Sequence, residues 1–242
     1  MAPSGPAPQK KSALGEFFGS SIAQKYIVAI TGLLLVLFVI VHLVGNLQMF
    51  AGQDAVNQYA VMLRSMGPLL WVARIGLIVI FVLHVSTAFR LYRRNRAARP
   101  TAYVTQSTVQ ASIASRTMIF SGSFVFLYII GHLLHLTFGL VLPEHAHLVD
   151  SMGRHDVYSM VVLGFQNKLV SFFYIAAMLV LWSHLRHGIS SMFQTVGVRC
   201  PRVAPFTDQL GPLLATVIVV GYIAIPLGVL AGIIALPPGV TP

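Results

Sequence analysis

The chain has 242 residues, of which 56% are hydrophobic and only 9% are charged. Ordinary soluble domains carry about 25% charged residues, so the composition excludes both a soluble globular protein and a disordered one. A single cysteine, Cys200, excludes a disulfide scaffold. The net charge of +10 rests on few charged residues in total. It is therefore more typical of membrane orientation than of nucleic-acid binding.

Five apolar segments are long enough to span a bilayer, which takes about 20 predominantly apolar residues. They cover residues 21–49, 67–89, 117–142, 164–198 and 210–236. The second is interrupted only by Arg74, and the fifth contains Pro212 and Pro226, which predict local bending. The sequence thus predicts an all-α integral membrane protein with five transmembrane helices, the first four forming a ligand-binding bundle.

The segments outside the spans divide the chain into three parts. Residues 1–19 are basic and lack an apolar core of their own, which predicts a disordered lead-in rather than a signal peptide. Residues 20–236 form the transmembrane domain, and residues 237–242 form a short tail.

Basic residues are distributed unevenly between the two ends of the spans. If the five helices alternate in direction, twelve of the 16 Lys and Arg residues lie on the side of the N-terminus: Lys10, Lys11, Lys25, Arg90, Arg93, Arg94, Arg96, Arg99, Arg116, Arg186, Arg199 and Arg202. Loops rich in Lys and Arg stay in the cytoplasm. The sequence therefore predicts a cytoplasmic N-terminus, an external C-terminus and a reduced Cys200 on the cytoplasmic side.

Histidines are the most informative polar residues of the chain. Three of the nine, His145, His147 and His155, fall in a loop and are interpreted as solvated. The other six lie inside or near the hydrocarbon region: His42, His84, His132, His135, His184 and His187. Ionisable groups at that depth are costly and mark functional sites by default, although a single membrane histidine also serves as an interhelical hydrogen-bonding group.

Helix direction predicts how the histidines pair. His42 and His132 come late in parallel helices, toward the outer face, whereas His84 and His184 come late in helices that run inward. Two imidazoles from different helices suit the axial positions of a low-spin haem b. Zinc would need a third or fourth ligand, and none is available at either depth. A proton relay would need Asp or Glu in the spans, which contain neither. Covalent c-type haem attachment would need a CxxCH motif, which the sequence lacks.

An internal repeat favours His132 over His135 as the outer ligand. ITGLLLVLFVIVHL in the first span matches FSGSFVFLYIIGHL in the third, with a hydroxyl residue, a glycine, nine residues and then His-Leu. Gly32 and Gly122 lie about 15 Å from these histidines along their helices, at the depth of the inner pair. Two interpretations stay open for them: room for a macrocycle, or small-residue helix packing.

Longer strings resemble a known family. SSIAQKYIVAITG, HLVGNLQMFAG, NQYAVMLRSMGPLLWVARIG, NRAARPTAY, SRTMIFSG and HLRHGISSMFQTVG stand in the order found in the single-polypeptide, di-haem cytochrome b subunit of succinate dehydrogenase and fumarate reductase. The similarity extends from about residue 20 to residue 236. It implies haem ligation by His42 with His132 and by His84 with His184, and its His-x-x-x-Gly string supports His184 over His187.

The resemblance also implies a function. Such a subunit anchors a flavoprotein and an iron–sulfur protein on the cytoplasmic side of a prokaryotic cell membrane. It carries electrons through two haems b to a quinone, mostly menaquinone, in the respiratory chain. FAD, the iron–sulfur clusters and the dicarboxylate site belong to the partners. The chain itself has neither a dinucleotide fingerprint nor a cysteine cluster. We therefore expect no catalytic residue for succinate on this chain.

Polar residues near the two ends of the spans are candidates for quinone or haem propionate binding. They are Ser21, Lys25 and Tyr26 at the inner end, and Gln48, Arg64 and Arg74 at the outer end. Snorkelling and helix capping are the alternative roles of such residues. Some members of the family use a membrane glutamate in quinol oxidation, which the spans here lack; Asp54 and Glu144 are loop candidates only.

Two other functions fit part of the pattern. The first is a di-haem cytochrome b of another quinone-linked dehydrogenase, such as a hydrogenase or formate dehydrogenase. The second is a membrane anchor or transporter whose histidines bind no haem. Haem content and reduction by succinate distinguish both from the succinate dehydrogenase type.

Overall fold

The computed structural model describes residues 17, 19–98 and 112–239. The predicted lead-in therefore lies outside the described residues, apart from Phe17 and Gly19, as does the end of the predicted tail. Arg99 and most of the NRAARPTAY string also lie outside them.

Seven helices of ten or more residues make up most of the described chain. They are α1 (Ser21–Asn46), α2 (Gln53–Ser65), α3 (Pro68–Ala97), α4 (Met118–Leu136), α5 (Val157–Gln166), α6 (Lys168–Thr195) and α7 (Ala204–Leu230). Within the described ranges there is no β-strand, only an isolated bridge between Val149 and His155. By length and composition, α1, α3, α4, α6 and α7 can each cross a membrane. The prediction of an all-α, multi-pass membrane protein is thereby confirmed.

Side-chain hydrogen bonds mark the beginning of α1 and of α6. The Ser20 side chain accepts a hydrogen bond from the backbone N–H of Ala23 and caps α1. Asn167 caps α6 by accepting from the backbone N–H groups of Leu169 and Val170. Because Asn167 is extended, it separates α5 from α6 inside a segment that the sequence predicts as one span. The structure therefore corrects the start of the fourth span from residue 164 to Lys168.

The third span is also shorter than predicted. The helix ends at Leu136, although the sequence stays apolar to Leu142. Gly139 and Leu142 both have a positive φ, of 63° and 56°, which a helix does not accommodate. The chain turns there, so apolarity alone overestimates the length of this helix.

Successive spans run in opposite directions. Arg94, near the end of α3, donates to the carbonyl of Gly19, just before α1. Phe50, just after α1, lies beside Gly228 near the end of α7. We refer to the end of the bundle where α1 begins as the Ser21 end, and to the opposite end as the Asn46 end.

The packing of the spans is uneven. α6 packs along α7, and the buried residues Leu185, Ile189, Ala215 and Ile218 form a core between them. By contrast, α3 contains no buried residue and makes its contacts with α1 and α4. A large cavity lies between α3 and the rest of the bundle.

Candidate functional site

The cavity is bounded mainly by α1, α3, α4 and α6 and has a volume of about 2140 Å³. Ligand pockets are commonly about 300–1,000 Å³, so this one has room for more than one large group. Most of its wall is aliphatic or aromatic. Five of the nine histidines line it: His42, His84, His132, His184 and His187.

His42 of α1 and His132 of α4 face each other across one part of the cavity. Their ring centres are 6.0 Å apart and the ring planes are nearly perpendicular, at 82°. Phe38 stacks on His42, and Tyr128 packs against His132. The Nδ1 atom of His132 is buried and has no hydrogen-bond partner. This pair is called the outer pair below.

His84 of α3 and His184 of α6 also line the cavity and are called the inner pair below. Thr31 Oγ1 lies 3.1 Å from Nδ1 of His84, and Ser121 Oγ lies 3.2 Å from Nδ1 of His184. The hydroxyl residues therefore come from helices α1 and α4, which carry the outer pair.

The two pairs lie at different depths. Gly32 of α1 adjoins His84, and Gly122 of α4 adjoins His184, so the inner pair is level with these glycines. His42 and His132 each follow their glycine by ten residues, which corresponds to about 15 Å along a helix. The repeat predicts these glycines at the depth of the inner pair, and their contacts with His84 and His184 agree with that prediction. The glycines line the cavity and adjoin imidazoles, and both of their proposed roles stay predictions.

The donor set fits haem iron. Two imidazoles bound to one metal ion from opposite sides, each through a nitrogen about 2 Å away, have ring centres roughly 6 Å apart. The outer pair matches this spacing. No group of three or more His, Cys, Asp or Glu side chains converges within the described ranges. The outer pair would thus offer two imidazole nitrogens to one metal ion, and the apolar wall of the cavity would enclose a flat apolar group.

His135 has a different environment from His132, one turn away. It is 5% exposed, and its Nδ1 lies 3.0 Å from the hydroxyl oxygen of Tyr174. Its Nε2 lies against Gly164 of α5, where an added Cβ would be 2.9 Å away. His135 is therefore enclosed between α4, α5 and α6, whereas His132 lines the cavity.

His184 and His187 both line the cavity, but only His184 has a hydroxyl partner and a glycine beside its ring. Those two contacts reproduce the surroundings of His84. They support His184 as the inner ligand, as the sequence predicts.

The predicted quinone and propionate residues separate into two groups. Lys25 and Tyr26 line the cavity at the Ser21 end, and Arg74 lines it at the Asn46 end. Ser21, Gln48 and Arg64 do not line it. A quinone or propionate role for all six stays a prediction.

Arg74 is a cation inside a spanning helix that also lines the cavity. It lies six residues into α3, about 9 Å from the start of the helix. Its guanidinium stacks over Trp71 at 5.2 Å, and among the described residues it has no carboxylate within ion-pair distance. Arg74 is exposed, so snorkelling and contact with a bound anion both stay predictions for it.

Sequence reasoning missed the roles of Thr31, Ser121 and Tyr174. The signal for the first two is present in the repeat, where a hydroxyl residue precedes each glycine. Nothing in the sequence links Tyr174 to His135, because they come from different helices.

Comparisons with protein families, curated proteins and solved structures find no match to this chain. The side chains that line the cavity are thus the basis for assigning a function.

Proposed function

We propose that the chain is the membrane-anchor cytochrome b subunit of a succinate:quinone oxidoreductase. In this role it binds two haems b and passes electrons between an iron–sulfur partner and membrane menaquinone. The observation that carries the proposal is the arrangement of four histidines as two pairs, on four helices, about 15 Å apart in depth and around one apolar cavity. The resemblance of six sequence strings to that family supports the identity of the partners.

The histidines would bind the two haem irons, and the cavity wall would surround the haems. His42 and His132 would hold one iron, and His84 and His184 the other. A bound haem supplies one-electron transfer. The aliphatic and aromatic wall would exclude water from the haems, and the choice of neutral imidazole ligands is one way a protein sets the potential.

Charged and polar residues at the two ends of the cavity would hold polar parts of the ligands. Arg74 and Asn46 would contact a propionate or quinone oxygen at the Asn46 end, and Lys25 and Tyr26 would do so at the Ser21 end. An anionic group at the Asn46 end would give the Arg74 guanidinium a partner of opposite charge.

The test is haem content per chain in the purified complex, with spectra before and after addition of succinate. We expect two b haems, at least partly reduced by succinate. His42→Ala and His84→Ala should each leave one haem. A complex without haem would contradict the proposal. Haems reduced by hydrogen or formate but not by succinate would instead identify another quinone-linked dehydrogenase.

A further inference from the structure

The inner histidines share an arrangement that occurs twice. Thr31 Oγ1 lies 3.1 Å from Nδ1 of His84, and Ser121 Oγ lies 3.2 Å from Nδ1 of His184. The two hydroxyl residues occupy equivalent positions of the internal repeat, directly before Gly32 and Gly122. Two helices that carry the outer pair thus each support one histidine of the inner pair.

The direction of these hydrogen bonds follows from the other contacts of the hydroxyl groups. A hydroxyl has one proton to donate and two lone pairs with which to accept. Thr31 donates to the carbonyl of Ile27 at 2.6 Å, and Ser121 donates to that of Met118 at 3.1 Å. With each hydroxyl proton directed to that carbonyl, the oxygen is left to accept from the imidazole, an arrangement that assigns the proton to Nδ1. The second nitrogen, Nε2, keeps a lone pair that can bind a metal.

Gly32 and Gly122 lie beside the same two imidazole rings. A Cβ added to Gly32 would lie 3.2 Å from Cε1 of His84, and one added to Gly122 would lie 3.2 Å from Cε1 of His184. Real Cβ contacts this short are rare, so a larger residue would require the ring to shift by a few tenths of an ångström. The hydroxyl and the glycine thus constrain the tautomer and the rotation of each inner histidine, and the backbone of Val28 is a further hydrogen-bond partner of His84.

The outer pair is built differently. His132 Nδ1 is buried and has no hydrogen-bond partner, and its neighbours Tyr128 and Tyr174 contact it through their rings. A difference in hydrogen bonding to the ligand histidines thus distinguishes the two sites.

We propose that Thr31 and Ser121 are positioning residues that hold His84 and His184 as Nε2 ligands and tune the inner haem alone. This inference rests on the proposed function, since it concerns how the haem iron is ligated. An imidazole that donates a hydrogen bond through its other nitrogen is a more basic ligand, which stabilises the oxidised iron. Loss of the hydroxyl should therefore raise the midpoint potential of the inner haem.

The experiment uses the purified complex with Thr31→Val, Ser121→Ala and the double variant. Valine keeps the shape of threonine, and alanine removes only the oxygen of serine. Redox titration of the b absorption band gives the two potentials, and transfer of haem to apomyoglobin gives the strength of retention. The same variants in a His42→Ala background, which should retain only the inner haem, identify which potential moves.

Conservative and matched variants serve as controls. Thr31→Ser and Ser121→Thr keep a hydroxyl and should keep the wild-type potentials. Ser86→Ala removes a hydroxyl two residues from His84 that bonds only the carbonyl of Leu83, and it should change neither haem.

We expect Thr31→Val and Ser121→Ala each to shift one potential upward, the double variant to shift it further, and the inner site to bind haem roughly 10- to 100-fold more weakly. Two retained haems with unchanged potentials, or a shift of the outer haem only, would overturn the inference and leave the proposed function intact. A wild-type complex without haem would overturn the proposed function itself. Should one single variant fail to assemble, the other tests the same bond in the second half of the repeat.

Discussion

The choice between His132 and His135 depends on which way each side chain faces, although the two are only one helical turn apart. His132 lines the cavity, whereas His135 is enclosed and bonded to Tyr174. We expect His132→Ala to remove the outer haem and His135→Ala to retain both. Haem content per chain in the two purified variants checks this prediction.

His135→Ala should instead lower stability. It removes the partner of the Tyr174 hydroxyl, and a buried polar group left unpaired costs about 1–3 kcal/mol. A lower thermal unfolding temperature with an unchanged haem spectrum is the expected result. If His135→Ala lost a haem while His132→Ala kept both, the assignment of the outer ligand would be wrong.

Much of this residue-scale pattern can be predicted from the sequence, and some of it cannot. The repeat predicts which histidine on α4 corresponds to His42 and how far each glycine lies from it. It does not predict that Thr31 contacts His84, because spacing within a helix says nothing about the rotation of neighbouring helices. The bond between His135 and Tyr174 was unpredictable for the same reason.

Gly211 of α7 lies in close contact with α6. A Cβ on Gly211 would overlap Ser190 Oγ and would lie 2.8 Å from the backbone oxygen of Arg186. Small residues allow such approaches between helices in membranes, and backbone atoms cannot move aside cheaply. We therefore expect Gly211→Ala to destabilise the protein by about 1–3 kcal/mol, the usual cost of overpacking.

Gly76→Ala is the matched control for this prediction. Gly76 also lies within a spanning helix, but an added Cβ there meets nothing within 4 Å. Thermal unfolding of both variants in detergent should show a lower transition temperature for Gly211→Ala only. Equal transition temperatures would mean that the helices separate easily at this point.

A polar network fastens α2 to the segment between α4 and α5. Asn57 is 0% exposed, and its Nδ2 donates to Asp150 and Asp156, each at 3.0 Å. Arg154 donates to Asp150 at 2.7 Å. Burial disfavours the charged form of Asp150, but hydrogen bonds from Arg154 and Asn57 outweigh it and lower its pKa to about 2. The pKa of Asp156 is lowered too, since bonds from Ser159 and Asn57 outweigh burial.

These lowered pKa values predict a loss of stability in acid. A carboxyl group with a lowered pKa in the folded state contributes stability above its unfolded pKa of about 4. That contribution is lost as the pH falls toward the folded value, about 2 for Asp150. The thermal unfolding temperature should therefore drop between pH 4 and pH 2, and less steeply in Asp150→Asn. Asp208→Asn, which alters an exposed ion pair with Arg199, should follow the wild-type curve.

The sequence predicts the spanning helices better than it predicts the short helices and the breaks between helices. The five spans are evident because their apolar runs exceed what any loop contains. Helix α2 was not predicted, because its polar side chains face the network around Asn57 rather than lipid. The break at Asn167 was missed because one capping residue in a long apolar run carries little weight in a sequence pattern.

The orientation of the whole molecule in the membrane is a prediction from charge, and the cysteine of the chain can test it. If the five spans alternate in direction, twelve of the 16 Lys and Arg residues fall on the side of the N-terminus, which predicts that this side is cytoplasmic. Cys200 is exposed, is the single cysteine of the sequence and precedes α7 on that side. A membrane-impermeant maleimide should therefore label inverted vesicles but not right-side-out ones.

Cys200→Ser combined with His147→Cys moves the thiol to the exposed loop at the Asn46 end and should reverse the pattern. Labelling of wild-type Cys200 in right-side-out vesicles would invert the topology and place the outer pair of histidines near the cytoplasm.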